Sequence, residues 1–185
     1  MKEIEFYDTI IQELESTLYS CRVYRHGKNN NGFEPIGHKK HFDLLIFNEK
    51  NNHIPNPLAL EVKINHNNEG GFGDITKGLY DQVTGVYRTL LFKCPKENWE
   101  GIPKYAFTTI SAFQGKSIYE KHYPKASTFF IERFSWRMGV SVLRKINGKL
   151  YLTNNGRAHC FDGTWIDWKE FDELWRIEEQ QRQPQ

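Results

Sequence analysis

The fold class depends on residues 42–64, which read FDLLIFNEKNNHIPNPLALEVKI. Two apolar runs, 42–47 and 58–64, lie on either side of a polar segment that contains two prolines. Short apolar runs bounded by turn-forming residues are typical of β-strands. This stretch therefore predicts two strands that pair as a hairpin with a long tip.

The chain on both sides of the hairpin predicts an α/β fold. Apolar residues at helical spacing indicate helices, and short runs rich in aromatic and β-branched residues indicate strands. The predicted elements are helices over 3–20 and 74–92, strands over 21–25 and 105–110, and loops over 26–37 and 95–103. Over residues 3–112 the expected order is therefore helix, strand, strand, strand, helix, strand.

The segment after residue 112 predicts further β-structure. The predicted elements are strands over 128–134, 139–144 and 150–152 and a last helix over 168–179. Asn147-Gly148 is a strong signal for a hairpin turn, because both residues tolerate positive φ. A chain of 185 residues fits one domain. We therefore expect a core over 1–112 with a β-rich extension over 113–185 packed on it.

The composition excludes several classes of protein. Hydrophobic residues make up 38% of the chain and aromatic residues 15%, which is typical of globular proteins rather than disordered ones. No apolar run approaches the roughly 20 residues that cross a bilayer, and the first residues lack the pattern of a signal peptide. We therefore expect a cytoplasmic protein without a membrane partner. Cys21, Cys94 and Cys160 are widely spaced and predict reduced packing thiols rather than disulfides or a zinc site.

Three charged residues interrupt the apolar strands of the hairpin. Asp43 lies in the first run, and Glu61 and Lys63 lie in the second. Residues two apart on a strand share a face, so Glu61 and Lys63 point the same way, with Asp43 beside them if the strands pair. Charges are costly inside a sheet unless they are paired or bind a metal, and two carboxylates suit Mg²⁺. An ordinary salt bridge at an exposed hairpin edge is the alternative, but the apolar flanks argue against such exposure.

This pattern resembles the PD-(D/E)XK nuclease superfamily, which includes restriction enzymes and archaeal Holliday junction resolvases. Its motif is an acid on one strand and then an acid, any residue and a lysine on the next, as in Asp43 and Glu61-Val62-Lys63. The family core also has the element order predicted above. The resemblance implies a restriction-endonuclease-like fold, in which a mixed β-sheet is flanked by helices. The chain departs from the motif at Phe42, where family members usually have proline.

The resemblance implies a role for each residue of the motif. Asp43 and Glu61 would ligate Mg²⁺ or Mn²⁺, with the backbone carbonyl of Val62 as a further ligand. Lys63 would orient the attacking water or stabilise the pentacovalent phosphate. The implied activity is hydrolysis of DNA phosphodiester bonds, and relatives that cut both strands often dimerise, which makes a homodimer an expectation by analogy. The alternatives are a nuclease acting on RNA and a catalytically inactive binding or assembly protein.

Supporting residues are implied on the two helices. Many family members add a glutamate from the first helix, for which Glu13 is preferred here and Glu15 and Asp8 are alternatives. Members related to RecB-type nucleases carry a glutamine and a tyrosine on the helix after the lysine. Gln82 and Tyr87 resemble that pair, although they are five residues apart rather than the usual four. Gln82 is therefore an expected support of the site, and Tyr87 is an expected packing residue.

The residues beside the motif include histidines and lysines. His38, His41 and His66 fit no standard zinc spacing, so we interpret them as loop residues. Lys39 and Lys40 precede Asp43 and are expected to contact the phosphate backbone.

Positive charge is concentrated in one part of the chain. Residues 88–161 hold 13 Lys/Arg and 4 Asp/Glu, a net charge of +9, whereas residues 1–87 carry −3 and residues 162–185 carry −4. Clustered cations neutralise phosphates, and aromatic residues in the same segment stack on bases. A solvated surface with buried aromatics is an equally weighted alternative. The residues expected to form much of a DNA-binding surface are Arg133, Arg137, Arg144 and Lys145.

Overall fold

A computed structural model gives the structure of the chain. It describes residues 3–27, 31–63, 86–114, 139–154 and 157–167. The helices are α1 (Glu3–Leu14) and α2 (Ile110–Phe113). The strands are β1 (Arg22–Arg25), β2 (Glu34–Pro35), β3 (Leu44–Phe47), β4 (Leu58–Lys63), β5 (Phe92–Cys94), β6 (Trp99–Gly101), β7 (Lys104–Thr109), β8 (Ser141–Ile146), β9 (Lys149–Asn154), β10 (Arg157–Cys160) and β11 (Trp165–Asp167). Two 3₁₀ turns cover Val86–Thr89 and Pro95–Glu97.

The strands form two sheets. The larger sheet has eight strands in the order β1-β3-β4-β7-β8-β9-β10-β11, and the smaller has the order β2-β5-β6. The neighbours β4, β7 and β8 run parallel, and the strands outside them pair antiparallel. The prediction of an α/β fold with a mixed sheet is therefore confirmed. Strands β8 to β11 continue the sheet that β1, β3, β4 and β7 begin.

The larger sheet has an apolar core on each face. Successive residues of a strand point to opposite faces, so Leu44 and Leu60 pack in the first core, whereas Leu45 and Ala59 pack in the second. The first core also contains Phe6, Ile10 and Leu14 of α1. The second contains Phe92 and Cys94 of β5. Helix α1 and the smaller sheet therefore cover opposite faces of the larger sheet.

Helix α1 ends at Leu14, six residues before its predicted end. Ser20 has a φ of 53°, and the backbone N–H of Cys21 donates to the carbonyl of Leu14 at 3.0 Å. Tyr19 is buried, and its hydroxyl accepts a hydrogen bond from the N–H of Leu150 at 2.8 Å. The prediction of a helix to residue 20 is wrong, because these tertiary contacts turn the chain where its apolar spacing still favours a helix.

Most strand predictions are confirmed to within two residues at each end. These are the predictions over 21–25, 42–47, 58–64, 105–110, 139–144 and 150–152. The Asn147-Gly148 turn between β8 and β9 is also confirmed, with φ values of 48° and 76°. The three cysteines are free and buried, as expected of packing thiols. The predicted strand over 128–134 and helix over 168–179 lie outside the described residues.

Three other predictions are wrong in part. The helix predicted over 74–92 does not extend to Phe92. Val86–Thr89 forms a 3₁₀ turn, and Phe92 is the first residue of β5. The loop expected over 95–103 contains β6, and the loop expected over 26–37 contains β2. These strands are two or three residues long, too short to leave a periodic pattern in the sequence.

In the described part of the chain, no helix is long and apolar enough to cross a membrane.

A charged network fixes β1 against the turn Pro95–Glu97. Arg22 donates through Nε and Nη2 to the two carboxylate oxygens of Glu97 at 2.6 and 2.9 Å, and through Nη1 to Glu49 at 2.7 Å. The hydroxyl of Tyr24 donates to Glu97 at 2.6 Å. The pKa of Glu97 is held below its ordinary value, mainly by the hydrogen bonds from Arg22. The side chain of Glu97 is 12% exposed and that of Glu49 is 68% exposed.

The substitution Glu97→Gln is expected to lower the free energy of unfolding by about 1–3 kcal/mol at neutral pH, because it removes the charge from a largely enclosed carboxylate that accepts hydrogen bonds from Arg22 and Tyr24. A carboxylate with a depressed folded pKa stabilises the protein above its unfolded pKa of about 4.3, and this contribution is lost as the pH falls through the folded value. Urea denaturation should therefore show the difference from wild type shrinking in acid. Glu49→Gln is the control, and an equal loss in both variants would contradict the assignment.

Candidate active site

The hairpin of β3 and β4 brings the two predicted carboxylates to the same level of the sheet. In the antiparallel register, Leu44 pairs with Leu60 and Leu45 with Ala59. One further step in this register places Asp43, which directly precedes β3, opposite Glu61. Directly opposite residues of antiparallel strands are nearest neighbours across the pair. This register therefore places the backbones of the two acids that the sequence singled out side by side.

Both carboxylate oxygens of Asp43 accept hydrogen bonds. The backbone N–H of Val62 donates to Oδ2 at 2.7 Å, and the hydroxyl of Tyr7 on α1 donates to Oδ1 at 2.9 Å. The first contact fixes Asp43 to the next strand, and the second fixes it to the helix that packs on the first core. A carboxylate oxygen has more than one lone pair, so neither of these two hydrogen bonds by itself prevents Asp43 from binding a cation.

Glu61 lies in the middle of the sheet rather than on its surface. It belongs to β4, which pairs with β3 on one side and with β7 on the other, and it is opposite Phe107 in the parallel register. Its exposed fraction is 8%. A carboxylate with so little exposure is costly unless charged or polar groups compensate it. The alternative of an exposed hairpin edge is therefore wrong for Glu61.

Lys63 is the last residue of β4, and its backbone is opposite Thr109 at the end of β7. It is two residues after Glu61, so both occupy the same face of the strand by alternation. The side chain of Lys63 lies outside the part of the chain that the structure describes. Lys63 is therefore placed by its backbone position alone.

The donor set of the site matches what Mg²⁺ takes from proteins. Mg²⁺ usually binds through one or two carboxylates and keeps several waters, rather than filling an all-protein cage. Asp43 and Glu61 supply two carboxylates on neighbouring strands. Among the described residues, no group of three or more histidine, cysteine or acidic side chains could hold a metal ion. Carboxylate oxygens are ligands that Mg²⁺ favours, whereas zinc sites favour cysteine and histidine, so this pair of donors fits Mg²⁺ better than zinc.

The three acids considered on the first helix have other partners. Glu13 pairs with Lys145 at 2.8 Å, Asp8 forms an ion pair with Arg25, and Glu15 accepts from the N–H of Val23 at 3.3 Å. The contact from α1 to Asp43 comes from Tyr7 instead. Sequence reasoning missed Tyr7, although a tyrosine four residues before Ile11 on the apolar stripe was a signal that this face carries a hydroxyl group.

The residues predicted to contact phosphates differ in their exposure to solvent. Lys39 and Lys40 are exposed in the loop that leads into Asp43. Lys145 pairs with Glu13 and lies 5.1 Å from the centroid of the Phe113 ring. Arg144 is 1% exposed, so its predicted place on a DNA-binding surface is wrong, because a buried guanidinium does not reach phosphates in solvent.

The other predicted residues fall in or beside undescribed segments. Arg133, Arg137, Gln82 and His66 lie outside the described residues. The backbone of Tyr87 is part of the 3₁₀ turn, and its side chain lies outside the description.

The two remaining histidines behave as loop residues. Nε2 of His38 is 2.9 Å from the carbonyl of Leu91, and the ring of His38 meets Phe92 edge to face. His41 stacks on His26 with ring centroids 4.0 Å apart. Stacked rings do not direct their nitrogens toward a common ion, so this pair does not form a transition-metal site.

Comparisons with protein-family models, with characterised proteins and with solved structures found no match to this chain. The geometry of the Asp43 and Glu61 site is therefore the basis on which a function is assigned.

Proposed function

We propose that this protein is a nuclease that hydrolyses DNA phosphodiester bonds with Mg²⁺ or Mn²⁺. One observation carries the proposal. Asp43 is fixed by the N–H of Val62 at 2.7 Å, beside the largely buried Glu61 on the neighbouring strand. A buried carboxylate beside a half-buried one is costly for stability alone, and carboxylates are the ligand type that Mg²⁺ requires.

The element order supports a restriction-endonuclease-like core. The described chain runs from α1 through β1, β3 and β4 to β7, and these four strands are neighbours in the larger sheet. The parallel pairing of β4 with β7 requires a crossover connection, which residues 64–103 are long enough to provide. Residues 74–85 of the second helix, which was predicted over 74–92, lie outside the described residues.

Each residue has a role in the proposed reaction. Asp43 and Glu61 hold the ion, and the carbonyl of Val62 is a further candidate ligand. When bound, the ion supplies an acidic water and offsets charge that grows on the phosphate. Lys63 orients the attacking water or stabilises the pentacovalent phosphate. Tyr7 is a positioning residue, because it touches Asp43 rather than the reacting atoms.

The proposal also needs groups that hold the substrate. Carboxylates that bind a metal repel DNA until the metal is present, so cations beside them must offset the repulsion. Lys39 and Lys40 are exposed in the loop that ends at Asp43 and are suited to this role. The net charge of +9 over residues 88–161 supplies further attraction for a polyanion.

A cleavage assay on circular and linear DNA tests the proposal. The full-length protein with Mg²⁺ should nick or linearise a supercoiled plasmid or cut a circular single strand, and a linear duplex detects activity that needs an end. The double variant Asp43→Asn with Glu61→Gln, purified identically, reports any contaminating nuclease. Intact substrates in every arm would refute the nuclease assignment.

Tyr7→Phe is expected to weaken Mn²⁺ binding about 10-fold, as is typical when the group that orients a metal ligand is removed. The variant keeps the ring in place and deletes only the donor to Oδ1 of Asp43. Titration calorimetry measures the effect directly. Tyr24→Phe is the matched control, because its hydroxyl donates to Glu97, which is not among the proposed metal ligands. Unchanged Mn²⁺ affinity in Tyr7→Phe would remove Tyr7 from the site.

A further inference from the structure

Two adjoining hollows lie away from the candidate active site. The first has a volume of about 430 Å³ and is lined by Asn52, His53, Pro55, Asn56, Pro57, Trp99, Gly101, Ile102 and Lys104. The second has a volume of about 470 Å³ and is lined by Arg88, Ile102, Pro103, Lys104, Tyr105 and Gly139. Ile102 and Lys104 line both hollows, so the two adjoin, and we call them together the Trp99 groove.

The groove lies at the end of the sheet opposite the carboxylates. Lys104 begins β7 and pairs with Leu58 at the start of β4. Glu61 pairs with Phe107, three positions further along both strands. At roughly 3.3 Å per residue, this separation is about 10 Å along the strands. The Trp99 groove is therefore separate from the catalytic residues and close enough for one strand of nucleic acid to reach both.

The first hollow presents aromatic rings. A Cβ atom at Gly101 would lie 3.2 Å from Cζ2 of Trp99, so glycine leaves room for the indole to lie against this backbone. The ring of Trp99 is also braced edge to face by Phe47, with centroids 6.1 Å apart. His53 is exposed and stacks on the buried His159, with centroids 5.0 Å apart. Braced aromatic rings at a surface make stacking platforms for bases.

The groove also contains a solvent-exposed apolar side chain. Ile102, which lines both hollows, is 48% exposed, although large apolar side chains are usually enclosed. Its aliphatic side chain adds apolar surface to the hollow that Trp99 and His53 also line. The amides Asn52 and Asn56 border the same hollow.

The charge of the groove favours a polyanion. Lys104 is exposed, and the guanidinium of Arg88 lies against Gly139, where a Cβ would be 2.8 Å from Nη2. Among the described residues that line the groove, none is acidic. Glu100 lies between Trp99 and Gly101 in sequence, but strand alternation turns it to the opposite face of β6. Aromatic rings and cations within one groove match bases joined by phosphates.

We propose that the Trp99 groove binds single-stranded DNA, with bases against Trp99 and His53 and phosphates near Lys104 and Arg88. Stacking on protein rings requires unpaired bases, which a duplex does not offer. This inference does not depend on cleavage, and it takes only the choice of DNA from the proposed function. If the protein is a nuclease, the groove would hold a single strand beside the cutting site.

Binding of fluorescein-labelled (dT)₁₂ to the full-length protein in EDTA tests the groove without metal or cleavage. Trp99→Leu keeps an apolar side chain but removes the ring, and it should weaken binding about 5-fold or more. His53→Ala should also weaken binding, because it removes the second ring. Lys104→Ala should lower the slope of log K against log salt by about 0.7, the value for one phosphate of a single strand. Lys96→Ala is the matched control, because Lys96 is exposed and is not among the lining residues.

The outcomes separate this proposal from the nuclease assignment. The groove proposal would be overturned if the variants at Trp99, His53 and Lys104 all bound (dT)₁₂ with an affinity within 2-fold of wild type. It would also be overturned if a DNA duplex bound as tightly as (dT)₁₂, or if the protein clearly preferred (rU)₁₂. His53 and Lys104 are exposed, so their result does not depend on whether Trp99→Leu folds. A protein that binds (dT)₁₂ as expected but cleaves nothing in Mg²⁺ refutes the nuclease alone.

Discussion

Asp43→Asn and Glu61→Gln should each reduce DNA cleavage about 100-fold or more, the loss that typically follows removal of one group that stabilises a transition state. Both substitutions keep the shape of the side chain and remove its charge. An asparagine retains one oxygen that accepts from the N–H of Val62, so the contact that orders this end of β3 is preserved. The loss of activity should therefore come with little loss of fold, as checked by circular dichroism and thermal melting.

Metal binding distinguishes the roles of the three motif residues. Titration with Mn²⁺ should show weaker binding for Asp43→Asn and Glu61→Gln. Lys63→Met should lose cleavage while its Mn²⁺ affinity stays near that of wild type, because lysine is not a metal ligand in the proposed site. Glu49→Gln removes an exposed acid at the other end of β3 and is the matched control. Near wild-type cleavage by either carboxylate variant would exclude that residue from the chemistry.

Cleavage should stop completely in EDTA and return with Mg²⁺ or Mn²⁺. Mg²⁺ demands near-ideal octahedral geometry and keeps several waters, so two carboxylates suffice to position it. Ca²⁺ is larger and takes six to eight ligands in a looser arrangement, so it should bind at Asp43 and Glu61 without supporting turnover. The measurement is the rate of plasmid cleavage in each ion, after the protein has been stripped with EDTA.

A competition experiment controls for effects of metal on the DNA itself. Added Ca²⁺ should inhibit cleavage in Mg²⁺ if both ions share the site, and excess Mg²⁺ should relieve the inhibition. Full activity in EDTA would refute the metal mechanism, whatever the variants show. Zn²⁺ that outperformed Mg²⁺ would contradict the two-carboxylate donor set, because zinc sites favour histidine and cysteine ligands.

Strands β3 and β4 and the turn between β8 and β9 were predictable from the sequence, because the patterns that indicate them are local. The runs that contain Asp43 and Glu61 are apolar, are bounded by turn residues and are interrupted by charged residues alone. Strand alternation is a fixed period of two, so the placement of Leu44 and Leu60 on one face and of Leu45 and Ala59 on the other follows from spacing alone. The Asn147-Gly148 turn was equally predictable, because few residue pairs accept two positive φ values.

The predictions failed where distant parts of the chain decide the outcome. Arg144 follows Leu143 on a strand in the interior of the sheet, and its burial depends on neighbours that no local pattern reveals. Tyr7 was overlooked because a tyrosine at a helical apolar position is usually a packing residue. Glu13, which the resemblance favours for the site, forms an ion pair with Lys145 of β8, and its part in the site stays a prediction.

The parallel contact between β4 and β7 bears on how the chain folds during synthesis. Leu58 pairs with Lys104, whereas in the meander of β8 and β9 Ile146 pairs with Lys149. Near-neighbour hairpins close within microseconds, but distant strands must first overcome the entropy of closing a long loop. On the ribosome, β4 emerges before β7 and exposes an unpaired apolar edge in the meantime. That interval is when the nascent chain is most open to pairing with other chains.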